Sequence, residues 1–141
     1  MKVLVVVNEN PISVDLVRGA LSLSEKMNIR IVFPIPLRDR PGLSELDREW
    51  LTHQGEYVTE KVADVFRARC QETEAVVRFG DSASSIIIKE AESFQADWIV
   101  LGQKLDEVVH GWMVDTTVQY VSNYAPCSVK VVPLESWHGT L

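Results

Sequence analysis

A chain of 141 residues, 46% of them hydrophobic, is long enough to bury one sizeable core and too short for two ordinary domains, so a single domain over 1–141 is expected. With 14 Lys and Arg against 20 Asp and Glu, the formal net charge is −6 and no basic stripe appears, which argues against non-specific nucleic-acid or anionic-membrane binding. The apolar run Val3 to Val7 is too short for a signal-peptide core or a membrane span and runs straight into Asn8-Glu9-Asn10-Pro11, so a soluble cytoplasmic protein is expected. That β-branched run is of strand length and reads as a central strand buried on both faces. Ile12, Leu16, Ala20, Leu23 and Met27 follow at helical spacing, with Pro11 tolerated in the first turn, and predict a helix covering the sheet. Ile29 to Ile35 is a second strand, broken by Pro34 and Pro36, whose end belongs at a sheet rim before the loop Arg38-Asp39-Arg40-Pro41-Gly42.

Ser44-Glu45-Leu46-Asp47 resembles a capping box, and an apolar stripe of Leu46, Trp50, Tyr57, Val58, Val62, Val65 and Phe66 runs from it to about Cys70. Gly55 weakens the middle of this helix. Trp50 and Tyr57 read as core or interface aromatics, an aromatic binding surface being the alternative, with His53 exposed beside them. Ala75 to Phe79 is a third strand ended by Gly80-Asp81. Ser82 can cap a helix whose Ala83, Ile87, Ala91 and Phe94 face inward, and Asp97 leads into a fourth buried strand, Trp98 to Leu101, closed by Gly102. Beyond lie a long loop, a helix starting near Thr116 and a closing strand at Cys127 to Val132. Strands alternating with helices predict right-handed crossovers and an α/β, doubly wound parallel sheet with helices on both faces. Cys70 and Cys127 lack the spacing of a zinc site or a redox dithiol; they are either two reduced thiols or a pair joined only in space.

Three segments carry a resemblance to the universal stress protein family over essentially the whole chain. Lys2 to Asn8 stands where that family has an apolar strand ending in Asp. Gly80-Asp81-Ser82-Ala83 through Ile87 to Ala96-Asp97-Trp98-Ile99-Val100-Leu101-Gly102 resembles its G-D/N-P … A-D-L-I-V-x-G block, and Ala125-Pro126-Cys127-Ser128-Val129-Lys130-Val131-Val132 is similar to its closing A-P-C-P-V-L-V-V. The resemblance implies five parallel strands in the order 3-2-1-4-5 and a homodimer through the C-terminal edge strand Cys127 to Val132. An otherwise exposed apolar edge at Val129, Val131 and Val132 agrees with that pairing.

Within the family, ATP binding goes with a loop motif, G-x2-G-x9-G-[ST], in which glycines let backbone N–H groups approach phosphates at a helix N-terminus. Gly102 and Thr116 match it. Leu105 and Asp115 replace the other two glycines, and Asn8 stands where the family's Asp meets the nucleoside. Asp115 is the natural N-cap of the following helix, its carboxylate taking N–H groups a phosphate would need. Asp106, Glu107 and Glu9 outweigh Lys104 and His110 near that crevice. The expected function is therefore a non-enzymatic, homodimeric stress-response module with a degraded nucleotide loop, no cofactor and an unidentified protein partner. The alternative is an ATP- or AMP-binding regulatory module, with Mg²⁺ and at most slow hydrolysis. Asp106, Glu107 and Asp115 read as loop and capping carboxylates rather than a metal cluster. His110 lacks a nucleophile partner. Trp112 reads as packed under the loop or at the dimer contact rather than stacked on a base, and Trp137 folds over the last strand or meets a second subunit.

Overall fold

A computed structural model describes residues 1–7, 14–23, 25–38, 40–70, 72–104 and 116–134. Among these, five strands and four helices follow one another as β1 (Lys2–Val6), α1 (Val14–Leu21), β2 (Asn28–Pro36), α2 (Glu45–Arg67), β3 (Glu72–Gly80), α3 (Ala83–Phe94), β4 (Trp98–Lys104), α4 (Thr116–Tyr124) and β5 (Ser128–Leu134). All strand pairs are parallel and the sheet order is β3-β2-β1-β4-β5, as expected.

β1 lies at the centre because its β-branched residues can be buried on both sides of the pleat. Val3, Val5 and Val7 face Leu16 and Ala20 of α1 and Val58, Val62 and Phe66 of α2; Leu4 and Val6 face Ile87 and Phe94 of α3 and Val121 of α4. Asp97 ties β4 to the start of β1 twice over: Lys2 N donates to Asp97 Oδ2 at 2.8 Å, and Asp97 N donates to Lys2 O at 2.7 Å. On the α3 side, buried Glu90 accepts from Arg78 at 2.7 Å and from Arg30 at 3.4 Å, while the Arg30 guanidinium lies 4.4 Å from the centre of the Phe94 ring. The charge is thus buried with two cations around it, as a buried carboxylate requires.

Self-contained local signals appear in the structure where the sequence expects them. Ser44 and Ser82 each cap a helix with a full capping box, closed by Asp47 and Ser85 respectively. The prolines do not break β2, which runs through Pro34 to Pro36. Val32 O accepts from Val7 N, so Pro34 and Pro36, two and four residues on, turn their nitrogens toward the same side. The last described β1–β2 pair is Val6 with Val32, so both prolines lie past the end of that ladder. Likewise Gly102 does not close β4, which continues through Lys104 beside β5. The closing strand itself is shifted to Ser128–Leu134.

Two helix assignments are corrected. α1 stops at Leu21, where Leu23 N tightens onto Ala20 O and Lys130 Nζ donates to Gly19 O at 3.0 Å; Leu23 and Met27 pack in the following turn instead. In α2 the inward face is Gly55, Val58, Thr59, Val62, Ala63 and Phe66, and the expected stripe members Leu46, Trp50, Tyr57 and Val65 are exposed. Gly55 decides this register. A Cβ there would lie 2.9 Å from Val77 Cγ2 and 3.0 Å from Phe33 Cδ1, so the glycine lets the helix sit directly on the sheet. The helix ends at Arg67, short of Cys70.

Cys70 packs on the α1–α2 side of the sheet and Cys127 on the α3–α4 side, and both are free thiols, so they do not pair. Burial pushes both thiols above the ordinary cysteine range, and for Cys127 the Asp97 carboxylate adds to the effect. Among the described residues no helix is long and apolar enough to cross a membrane.

Candidate functional site

In a sheet of this order the crevice opens where neighbouring crossovers leave in opposite directions, above the C-terminal ends of β1 and β4. β1 pairs with β4 from Val3 to Val5, after which Leu101 to Lys104 pair only with β5. The crevice floor is therefore Val7 on one side and Gly102 to Lys104 on the other. Of the sequence-derived positions, Gly102 and Thr116 are described. Asn8, Leu105 and Asp115 lie outside the described residues, as do Glu9, Pro11, Ile12, Asp106, Glu107, His110, Trp112 and Trp137.

Gly102 sits in β4 opposite Val132, on the face shared with α1. An added Cβ would stand 2.4 Å from Leu134 Cδ1 and 2.8 Å from Leu134 Cγ, and Leu134 is itself a core residue. Packing within the sheet thus favours the glycine, since any larger residue would force the Leu134 side chain to shift. Thr116 is the exposed first residue of α4, with Thr117 half-buried behind it.

Next to the crevice, the N-termini of α3 and α4 and the end of β2 enclose a cleft of about 520 Å³. Its α3 wall is built from hydroxyls: Ser85 N donates to Ser82 Oγ at 3.2 Å, and Ser82 Oγ lies 3.2 Å from Ser84 Oγ. Thr116, Thr117 and Tyr120 form the α4 wall, with the Tyr120 ring 4.6 Å from that of Tyr124. Arg38 and Asp81 form an exposed ion pair among the lining residues; Arg38 N also donates to Asp81 O at 3.1 Å, extending the β2–β3 pairing past Pro36. Two helix N-termini and a guanidinium favour an anion here, and the Asp81 carboxylate opposes it. Among the described residues no group of three His, Cys, Asp or Glu could hold a metal ion.

The sequence brought Gly102 and Thr116 forward but missed Arg38, Ser84, Thr117 and Tyr120 as neighbours in one cleft. Only the Gly80-Asp81-Ser82 block pointed at it. The remaining wall comes from the β2 end and from α4, which no local spacing connects.

Comparison with known proteins places this geometry in context. The model of the universal stress protein family matches residues 1–133. A search of curated proteins returned no match. Among solved structures, a universal stress protein from Archaeoglobus fulgidus superposes with a TM-score of 0.69 at 17% identity, over 94% of this chain and 93% of that one. The Archaeoglobus fulgidus protein in complex with dAMP gives 0.66 at 16% identity, over 94% of this chain and 97% of that one. A universal stress protein family member from Arabidopsis thaliana with AMP bound gives 0.63 at 18% identity, over 99% of this chain and 94% of that one. At these identities the likeness establishes the shared fold.

Proposed function

Because this chain belongs to the universal stress protein family, we propose that it is a non-enzymatic stress-response module, a homodimer that acts through protein contacts and does not capture ATP unaided. The observation that carries this reading is the packing of Leu134 against Gly102. Of the motif G-x2-G-x9-G-[ST], the chain retains only Gly102 and Thr116, and Leu134 accounts for Gly102 without any phosphate. Leu105 and Asp115 stand in the other two glycine positions. Asp115 directly precedes the first residue of α4, where a carboxylate competes with phosphate for the helix N–H groups. Thermal unfolding with and without Mg-ATP tests this: the midpoint should not move, and a saturable rise with ligand concentration would overturn the reading.

The dimer is supported by β5, which among the described residues pairs only with β4 and leaves Val129 and Val131 half-buried along an edge of the sheet. Lys130, an obvious guard against edge pairing, is turned away to the end of α1 through Gly19 O and Ser22 Oγ.

A second reading, an AMP-binding regulatory module, is favoured by the cleft between α3 and α4. A monophosphate carries less charge than a triphosphate, and Arg38 with two helix N-termini could balance it. Structural neighbours with dAMP, cAMP and AMP are in keeping with this alternative. Titration with AMP separates the two: amide shifts at Ser84 and Thr117 that saturate would favour the second.

A further inference from the structure

The outward face of α2 carries side chains that its packing does not explain. Leu46, Trp50 and Tyr57 are 74%, 60% and 58% exposed, although long apolar side chains on a surface helix normally turn inward. At 3.6 residues per turn they fall within about 40° of one another and opposite the buried face centred on Gly55, along roughly 16 Å of helix. The three side chains therefore share one solvent-facing side of the helix, with His53 between Trp50 and Tyr57.

Charge is distributed unevenly around it. Glu45, Glu49, Glu56 and Glu60 recur at helical spacing along one flank, forming an acidic row beside the apolar stripe. Glu60 is engaged by Arg67 at 3.0 Å and Glu56 lies 3.8 Å from His53, whereas no cation is within ion-pair distance of Glu45 or Glu49 among the described residues. Arg48, which could have neutralised them, is instead turned inward over the Phe79 ring at 5.5 Å. Lys61 lies 4.3 Å from the centre of Tyr57, so an aromatic face on this stripe already accepts a cation, while Trp50 has no such neighbour among the described residues. Tryptophan is the ring that holds a cation best.

We propose that this face of α2 is a docking surface for a basic amphipathic segment of a partner protein, with aliphatic side chains on Leu46 and Tyr57 and Lys or Arg between Trp50 and the Glu45–Glu49 end of the row. Charge complementarity selects this occupant. A second copy would set one acidic row against another, and three apolar side chains are too small a patch for a stable dimer, which needs about 800 Å² from each partner. The inference rests on the protein-contact reading above, yet it succeeds or fails on peptide binding, whereas that reading fails on nucleotide binding.

The test is a titration of the full chain with a synthetic leucine–lysine peptide of about 18 residues at helical spacing, followed by two-dimensional amide NMR. Saturable shifts concentrated between Glu45 and Lys61 are expected, and the same peptide with glutamate for lysine should not bind. Trp50→Ala with Tyr57→Ala should weaken binding roughly tenfold, as should Glu45→Lys with Glu49→Lys. Glu25→Lys with Glu92→Lys, equal in net charge but on other exposed segments, should leave affinity unchanged. The proposal is overturned if both charge reversals weaken binding alike, if the shifts lie away from α2, or if the acidic peptide binds as well. It is equally overturned if the unliganded protein self-associates through this face, read as a mass that falls on Trp50→Ala.

Discussion

A methyl group added at Gly102 would have to share space with Leu134 Cδ1, which lies 2.4 Å from the ideal Cβ position. Gly102→Ala should therefore cost about 1–3 kcal/mol, the usual range for overpacking a filled core. Urea unfolding measures it, and the cost should shrink in a Leu134→Ala background, since the two sites are coupled through one contact. An additive pair would show that the glycine is there for another reason. Nothing in the sequence joins these two residues: Leu134 lies far along the chain, and the motif spacing gave Gly102 a different meaning. Asp97 is the contrary case. Its place before an apolar strand marked it as part of a recurring block, and the structure supplies the cause in the two hydrogen bonds to Lys2. A similar division separates the polar residues of the cleft. Ser82 was legible because a helix cap is made within four residues, whereas Arg38 and Thr117 meet it only through the sheet order.

Among the elements, the capped starts of α2 and α3 and the inward face of α3 were legible, whereas the ends of α1 and α2 and the inward face of α2 were not. The capping box at Ser44 and the cap at Ser82 are local chemistry and are legible from spacing alone, whereas the box that Ser85 closes on Ser82 is visible only in the structure. The buried face of α2 depends on Gly55 approaching Val77 and Phe33, a contact across the α2–β3 layer, and it overrode the more hydrophobic stripe at Leu46, Trp50 and Tyr57. Strand ends behaved in the same way: Pro34 lies past the last described β1–β2 pair, and Gly102 keeps its N–H and stays paired with β5, so neither ends its strand. The C-terminus of α3 offers a direct test at this scale. Gln95 closes it in the left-handed conformation at φ 56°, with its N–H donating to Ala91 O and Glu92 O. Glycine adopts that conformation without the Cβ penalty, so Gln95→Gly should raise stability by about 0.5–1 kcal/mol in urea unfolding. A loss would mean that the Gln95 side chain contributes more than its backbone strain removes.

For the molecule as a whole, the alternation of strands and helices predicts only a doubly wound parallel sheet, the order β3-β2-β1-β4-β5 is what the three short blocks of resemblance imply, and the structure has both. The same order leaves β5 at an edge. Light scattering on the purified protein should give twice the 15.9 kDa chain mass, and Val131→Lys on that edge should return a single chain; a monomeric parent would remove the dimer from the account. The most direct test of the central claim is a calorimetric titration with ATP, with and without Mg²⁺, on the parent and on a Leu105→Gly, Asp115→Gly double variant. The parent should give no saturable heat, and the double variant should gain binding that the parent lacks. Saturable binding by the parent, unchanged in the double variant, would contradict it.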